Sequence, residues 1–376
     1  MSRLDAVIVG GGIIGLTVGW KAAAAGLRVV VCDPAPGRGA SWAAAGMLAP
    51  VTEATAEESE LTRVGLASLT RWPRFAADLA ADAGVDVELR QDGTLQVAFD
   101  GDDRRALDEL LAVHRRLGLD SQWRASRQCR ELEPLLSPRI RGGLFAPGDW
   151  QIDPRVVVTA LIRAFANRGG RLCRSSARRL HFDARNSVGG VELAGGQVLA
   201  AGAVVIAAGA HSAVLGGLPP EATPPVRPIK GEILRLRADP EDLPFTRTIR
   251  GTARGRSVYL VARSSGEVVV GATMQEAGFD TTVRSGAVHD LLHAAIDLVP
   301  AIEELPIEET LAALRPGTPD NAPVLGPSST PGLLFATGHH RNGVLLAPFT
   351  ADAMLEVLTT GALPAEAASL GAGRFR

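Results

Sequence analysis

The hydrophobic pattern of the first 33 residues predicts a strand, a helix and a second strand. The apolar run DAVIV, residues 5–9, is typical of a short buried strand in a parallel sheet. Residues 16–26 (LTVGWKAAAAG) have a helical pattern that ends at a glycine, and LRVVVCDP then predicts a second strand that ends at Asp33. The chain therefore opens with a βαβ unit.

The sequence GGGIIG lies between the first strand and the helix, and Gly10, Gly12 and Gly15 fit the pattern G-x-G-x-x-G. Glycines there permit a tight turn and a close approach of the backbone to a pyrophosphate, whose charge the helix N-terminus stabilises. Asp33 lies about 20 residues further on, where an acid binds the ribose hydroxyls. Together these features predict a dinucleotide site, but they do not distinguish NAD from FAD.

The pattern along the rest of the chain alternates between helical and strand segments. It predicts helices within 57–83, 102–119 and 292–305 and another helix from Pro154. It also predicts two strands around the turn at Asp92-Gly93, a hairpin over 180–199, and a strand over 204–207 that ends in small residues. Residues 228–273 predict antiparallel strands with turns at 253–255 and 264–266, and residues 333–361 predict a strand, a turn and a helix. The antiparallel block therefore interrupts the nucleotide-binding unit.

Composition and charge exclude several classes of protein. The 376 residues carry 39 basic and 41 acidic side chains, without the basic excess of a nucleic-acid binder. The three cysteines form neither a disulfide framework nor a CxxC pair, which favours a reducing cytoplasm. The N-terminal apolar run contains the glycine turn and ends at Lys21, so it is too short to cross a bilayer, and no later segment is longer.

Arg315 follows an apolar run and immediately precedes Pro-Gly, so we expect its guanidinium to start from a partly buried backbone. A buried guanidinium needs an anion, and the rigid fork of arginine holds a carboxylate through two charge-assisted bonds. The anion is either a substrate carboxylate or a structural partner such as Asp320 or Glu309.

Tyr259 is the only tyrosine in the chain and lies in a predicted strand, where alternation places it opposite Val258 and Leu260. A strand tyrosine usually packs in the core. However, a buried phenol seeks a hydrogen-bond partner, and a carboxylate held by Arg315 would provide one.

The segment GHHRNGVLLAP, residues 338–348, is a glycine-bounded turn that leads into a helix, and Pro348 is tolerated there if it lies in the first turn. The free N–H groups of such a helix N-terminus would stabilise negative charge on a reduced flavin. His289 and His293 are spaced i, i+4 but lack the acidic motif or third ligand of a zinc site, so we predict no metal. No GxSxG motif is present either.

Seven segments together resemble the FAD-dependent amine and D-amino acid oxidases, and most closely the glycine-oxidising branch linked to bacterial thiamine biosynthesis. They occur in the order and spacing of that family: VIVGGGIIG, SWAAAGML, VVIAAGAHS, RPIKGEIL, YLVARSSGEVVVGATM, LRPGTPDNAPVLG and GHHRNGVLLAP. The resemblance implies an α/β FAD-binding Rossmann-like domain of the GR2/D-amino acid oxidase type, with an α+β substrate domain built on an antiparallel sheet. The implied FAD-binding domain comprises residues 1–85, 146–225 and 315–376, and the implied substrate domain comprises 86–145 and 226–314.

The resemblance also implies roles for individual residues. Arg315 matches the arginine that binds the substrate carboxylate, Tyr259 its hydrogen-bonding tyrosine, Arg341 a second substrate contact and Met274 a lining residue. His340 replaces what is usually an aromatic residue, and Arg179 replaces a valine that contacts adenine through its backbone. The residues implied to contact FAD are Gly10, Gly12, Ile13, Ile14, Gly15, Asp33, Pro34, Ala40, Ser41, Ala45, Gly46, Met47, Arg179, Gly209, His339, His340, Arg341, Asn342, Gly343, Val344 and Leu345.

The implied activity is the oxidative deamination of glycine, with sarcosine and small D-amino acids as further candidates. Oxygen and water are consumed, and glyoxylate, ammonia and hydrogen peroxide are formed, with the imine available to a thiazole synthase. No cysteine follows Cys173, so the FAD would be held non-covalently. The resemblance also implies a cytoplasmic homotetramer. The alternatives are a D-amino acid or N-methyl amino acid oxidase or dehydrogenase of the same fold, and a non-catalytic nucleotide-binding protein.

Overall fold

A computed structural model describes residues 3–375 of the chain. The helices within this range are α1 Ile13–Ala24, α2 Ala40–Ala43, α3 Ser59–Leu69, α4 Trp72–Ala83, α5 Gly101–Leu117, α6 Ser126–Leu132, α7 Pro154–Asn167, α8 Ser285–Leu298 and α9 Ala347–Thr360. The strands are β1 Leu4–Val9, β2 Val29–Cys32, β3 Met47–Leu48, β4 Thr94–Ala98, β5 Gln122–Ala125, β6 Gly142–Ala146, β7 Trp150–Gln151, β8 Arg171–Cys173, β9 Ala177–Phe182, β10 Val188–Leu193, β11 Val198–Ile206, β12 Arg227–Arg237, β13 Thr248–Ala253, β14 Arg256–Ala262, β15 Glu267–Gly271, β16 Ile307–Gly317, β17 Val324–Pro327 and β18 Leu333–Thr337. No described helix is long and apolar enough to cross a membrane.

The first sheet is built around the predicted βαβ unit, in the order β17-β18-β11-β1-β2-β8. Its central strands are parallel, and only β17 runs antiparallel on this path. The strand alternation divides the core, because Ala6 and Ile8 pack with α1, α7 and α9, whereas Val7 and Val9 pack beneath the β9–β10 hairpin. The predicted hairpin over 180–199 is confirmed as part of β9, β10 and β11.

The second sheet has the order β16-β12-β15-β14-β13-β4-β6-β5 and is antiparallel apart from the β13–β4 pair. The predicted antiparallel strands over 228–273 are confirmed as β12 to β15. Helix α8 covers one face of this sheet, where Leu234, Leu260 and Val270 are buried. The opposite face, which carries Tyr259, Val261 and Val269, packs against Ala43 and Ala45. This second face is therefore turned toward the segment that follows the βαβ unit.

The predicted hairpin around Asp92-Gly93 is wrong in its first strand. Residues 87–92 form no strand, and the backbone of Arg90 makes only an isolated bridge with Gln151. The second half forms β4, which pairs with β6 and β13 instead. Pairing with distant residues overrode the local turn signal.

The α/β fold class with a second, mainly antiparallel sheet is confirmed. The predicted domain boundaries stay a prediction, and β6 and β16 each run across one of them. Cys32 and Cys173, which are far apart in sequence, are register partners on β2 and β8, both as free thiols.

Candidate functional site

Arg315 and Tyr259 converge on the face of the second sheet that is turned toward the small-residue segment 40–47. Tyr259 on β14 packs against the buried cluster that contains Ala43 and Ala45, as Met47 does. Arg315 near the end of β16 is half-buried, and its positive charge is close enough to act on the Tyr259 phenol. Burial raises the pKa of Tyr259, which the positive charge of Arg315 only partly offsets, so the phenol is protonated and able to donate a hydrogen bond.

Arg315 has no carboxylate partner among residues 3–375, although its Nη1 donates to the Thr273 carbonyl oxygen at 3.1 Å. The two acids that the sequence offered as structural partners are engaged elsewhere. Glu309 pairs with Arg155 at 2.6 Å, and Asp320 pairs with Arg374 at 2.8 Å. The guanidinium of Arg315 therefore keeps donors free for an anion.

A second cluster of charges lies beside this pair. Glu53 accepts from Arg250 at 2.9 Å and from Arg341 at 3.0 Å, and Arg341 also pairs with Glu58 at 2.5 Å. Burial alone would raise the pKa of Glu53, but Arg250 and Arg341 outweigh burial and leave that pKa below its ordinary value. Arg341, predicted as a substrate contact, is thus already held by two acids.

Sequence reasoning missed Glu53, Glu58 and Arg250 as members of the site. Both acids lie in the polar loop 51–58 (VTEATAEE), where no regular pattern distinguishes a functional carboxylate from a solvated one. The loop is fixed by Asp149, whose carboxylate accepts from the N–H groups of Val51 and Thr52. Only long-range contacts identify this loop as part of the site.

The turn at residues 338–345 provides neutral side chains and free backbone donors. His339 shares a hydrogen bond with Thr350 at 2.9 Å, and His340 adopts a left-handed backbone with φ of 47°. Burial lowers the pKa of His339 to about 3 and of His340 to about 4, so both are neutral near pH 7. Within the described chain, the N–H groups of Val344 and Leu345 have no hydrogen-bond acceptor. These groups fit the predicted stabilisation of a reduced flavin.

The glycine turn after β1 has the geometry that the motif predicts. A Cβ on Gly10 would lie 2.4 Å from the Ala207 oxygen, and one on Gly15 would lie 1.9 Å from the Gly10 oxygen, so neither position accepts a side chain. At the start of α1, the Ile13 N–H donates to Ser41 at 2.9 Å, while the Gly12 and Ile14 N–H groups lack an acceptor in the part of the chain described. Free amides at a helix N-terminus fit a pyrophosphate.

Asp33 lies beside this turn and is partly engaged by the backbone. Its carboxylate accepts from the Gly11 N–H at 2.7 Å and from the Ala35 N–H at 2.8 Å. These bonds orient the side chain and leave further acceptor sites for ribose hydroxyls. The residues of this region thus fit an adenine dinucleotide.

The other predicted FAD contacts fall on elements around these two regions. Pro34 is exposed directly after Asp33, Gly209 opens a 3-10 turn after β11, and Asn342 is buried just before Gly343. Ala40 and Ser41 begin α2, Gly46 follows it with φ of 75°, and Met47 begins β3.

Arg179 and Met274 are less closely tied to the site. Arg179 lies on β9 with an exposed side chain 3.7 Å from Glu192, and no bond between described residues joins it to the glycine turn or Asp33. Met274 directly follows Thr273 but is 65% exposed.

Two buried arginines tie the second sheet to the segment after the βαβ unit. Arg235, 1% exposed, donates to the carbonyl oxygens of Trp42 and Ala44 at 3.0 and 3.4 Å. Arg263, 4% exposed, donates to the Ala45 oxygen and to Gln151. Burial lowers the pKa of Arg263 to about 10, which still leaves it charged. These bonds fix the main chain of segment 42–45 against the second sheet.

Comparison with known proteins agrees with these geometric features. The model of the DAO family, described as FAD dependent oxidoreductase, matches residues 5–357. A glycine oxidase from Geobacillus kaustophilus (strain HTA426) is 35% identical over 356 residues, which cover 93% of this chain and 91% of that protein. The crystal structure of glycine oxidase from Geobacillus kaustophilus matches with a TM-score of 0.90 at 32% identity, covering 100% of this chain and 99% of that one.

A further relative joins a similar chain to additional sequence. The bifunctional protein ThiO/ThiG from Trichormus variabilis (strain ATCC 29413 / PCC 7937) is 31% identical over 352 residues, which cover 92% of this chain but 51% of that protein. Since a family model covers most of the chain and full-length relatives exceed 30% identity, this protein belongs to the DAO family of FAD-dependent oxidoreductases.

Proposed function

We propose that this enzyme is an oxidase that deaminates glycine. One observation carries the proposal. Arg315 and Tyr259 converge on the face turned toward segment 40–47, and Arg315 has no carboxylate partner among the described residues. A guanidinium fork beside a protonated phenol suits the carboxylate of an amino acid. The resemblance to glycine oxidases over nearly the whole chain supports the same substrate.

The charges around the pair favour a substrate with a single carboxylate. The guanidinium groups of Arg250, Arg315 and Arg341 exceed the carboxylates of Glu53 and Glu58 by one positive charge. One bound carboxylate neutralises this excess, whereas a second would stand beside Glu53 or Glu58. Monocarboxylic amino acids therefore fit the cluster best.

In the proposed reaction, glycine, oxygen and water give glyoxylate, ammonia and hydrogen peroxide through an imine. FAD bound at this site supplies the ring that accepts a hydride. Arg315 and Tyr259 fix the carboxylate and so orient the α-carbon, which makes positioning the main task of the side chains. His339 and His340 are neutral and carry no charge that competes with the substrate amine. No side-chain base is required when the amine is bound in its neutral form.

The test is anaerobic mixing of the purified yellow holoenzyme with glycine, sarcosine and D-alanine in turn, followed by flavin absorbance. Bleaching by glycine and peroxide formation on admission of air are expected. Preferential bleaching by sarcosine or D-alanine would move the enzyme to the N-methyl or D-amino acid oxidases. Bleaching without peroxide would indicate a dehydrogenase. No bleaching by any of them would refute the proposal.

We further propose that the imine reaches a thiazole synthase and that the enzyme is a cytoplasmic homotetramer, as the sequence resemblance implies. The fused ThiO/ThiG relatives support an association with a second protein, because fusion holds two partners at high effective concentration. Light scattering of the purified enzyme, alone and mixed with a thiazole synthase, measures both assemblies. A monomer that does not bind the synthase would contradict both proposals.

A further inference from the structure

Two glycines lie directly beneath the side chains of Arg315 and Tyr259. In the second sheet, β12 and β15 lie side by side between β16, which carries Arg315, and β14, which carries Tyr259. Gly231 is on β12 and Gly271 is on β15. The two outer side chains therefore lean inward over the two inner strands to reach one another.

Gly231 leaves the space in which the guanidinium of Arg315 lies. A Cβ built on Gly231 would stand 2.2 Å from Nη1 and 2.5 Å from both Cζ and Nη2 of Arg315. Because all three nearest atoms belong to the planar head group, the guanidinium lies across the backbone of β12. Any side chain at position 231 would displace it.

Gly271 has the same relation to Tyr259, its register partner across the β14–β15 pair. A Cβ on Gly271 would stand 2.4 Å from both Cζ and the hydroxyl oxygen of Tyr259, and 2.6 Å from Cε2. The phenol end of the ring therefore passes over β15 toward Arg315. A larger residue at position 271 would tilt this ring away from the site.

Neither Gly231 nor Gly271 has a positive φ, so a left-handed backbone does not explain glycine at either position. Glycine in the interior of a strand weakens it, and its presence there marks a close approach by another group. We infer that Gly231 and Gly271 are positioning residues that set the placement of Arg315 and Tyr259 against the substrate carboxylate. The inference rests on the proposed function in assigning that carboxylate to these two side chains.

The first test compares Gly231→Ala with wild type as FAD-loaded enzymes. Glycolate, in which a hydroxyl replaces the amine of glycine, is titrated while the flavin absorbance spectrum is recorded. We expect glycolate binding to weaken by about 10- to 100-fold, with KM for glycine rising more than kcat falls and FAD retained, since a shift of about 1 Å has effects of this size. The matched control is Gly189→Ala on β10, whose Cβ would meet nothing closer than 3.6 Å, and it should bind glycolate as wild type does.

A double-mutant cycle separates positioning from a general effect on folding. In an Arg315→Ala background the added methyl group meets no guanidinium, so Gly231→Ala should cause no further loss of glycolate binding. Recovery of folded yellow protein only for the double variant would also support the inference. An equal loss with and without Arg315 would overturn it.

The same cycle with Gly271→Ala in wild-type and Tyr259→Ala backgrounds provides a second, independent test. Gly271→Ala should weaken glycolate binding in the wild-type background and cause no further loss in the Tyr259→Ala background.

Failure of the proposed function looks different from failure of this inference. Arg315→Ala with wild-type glycolate affinity would overturn the proposed function. Weak binding by Arg315→Ala combined with wild-type affinity in Gly231→Ala and Gly271→Ala would overturn only the role of the glycines.

Discussion

Replacement of Glu53 by glutamine should destabilise the enzyme far more than removal of an ordinary surface acid. The Glu53 side chain is 13% exposed and is shared by Arg250 and Arg341. Removing one partner of a buried ion pair costs about 3–5 kcal/mol, because the remaining charge stays buried without compensation. Arg341 keeps Glu58 as a partner, so we expect a loss near the lower limit, about 3 kcal/mol.

Glu308→Gln is the matched control, since Glu308 also pairs with an arginine, Arg237 at 2.8 Å, but is 41% exposed. Exposed pairs contribute about 0–1 kcal/mol. Urea unfolding of the FAD-loaded variants, followed by fluorescence, measures both losses. If Glu53→Gln costs no more than Glu308→Gln, the assignment of Glu53 as the buried centre of the charge cluster is refuted.

The pH dependence of the difference in unfolding free energy between wild type and Glu53→Gln provides a second check. The pKa of Glu53 in the folded protein lies below its ordinary value of 4.5, so the folded carboxylate binds protons less readily than the unfolded one. Its stabilisation is therefore fully present above that value and is lost as the pH falls through the lower, folded pKa. The difference between wild type and Glu53→Gln should be constant near neutral pH and shrink below 4.5. A difference that does not change at acid pH would contradict this reasoning.

Three further predictions concern the two ends of the site. Arg315→Lys should raise KM for glycine at least about tenfold with FAD still bound, because an ammonium group cannot form the paired bonds of a guanidinium, and steady-state kinetics with a flavin-to-protein absorbance ratio measures both effects. Gly12→Val should yield a folded but colourless protein, since even a Cβ there would lie 3.2 Å from the Ser41 hydroxyl in the expected pyrophosphate space. Circular dichroism measures folding and flavin absorbance measures bound FAD. A variant that stays yellow would disprove the prediction. In His340→Asn, the asparagine tolerates the left-handed backbone, and the variant should lose less thermal stability than wild type between pH 6.5 and about 4. The reason is that the wild-type imidazole is protonated on unfolding but stays neutral while folded. Equal decreases in melting temperature in both proteins would contradict this prediction.

The parts of the fold that could be predicted from the sequence are those determined by local pattern. The unit from β1 to β2 was predictable because its strands are continuous apolar runs and its turn is marked by Gly10, Gly12 and Gly15. The alternation of β14 likewise predicted that Tyr259 lies opposite Val258 and Leu260, and these two residues are indeed buried on the other face. Periodicity was sufficient where neighbouring residues alone decide the conformation.

The rest depended on contacts between distant segments, which a single sequence does not encode in its local pattern. Glu53 and Arg250 are almost 200 residues apart, and neither belongs to a motif. Gly231 lies within the quoted segment RPIKGEIL, but its relation to Arg315 becomes visible only when β12 and β16 are paired. The register of a sheet therefore had to be known before the roles of these residues could be inferred.

The bonds from Arg235 and Arg263 to the carbonyl oxygens of residues 42–45 have a thermodynamic consequence. Both guanidinium groups are buried, so separating the second sheet from this segment would break their bonds to its carbonyl oxygens. Arg263 would lose its acceptor at Ala45, whereas Arg235 would keep its ion pair with Glu267 on β15. A ligand that binds only the folded form adds RT ln(1 + [L]/Kd) to its stability, with Kd the dissociation constant. Because segment 40–47 contacts both the βαβ unit and the second sheet, the stabilisation that bound flavin supplies should extend to the sheet that carries Arg315 and Tyr259, and loss of the flavin should weaken both sheets together.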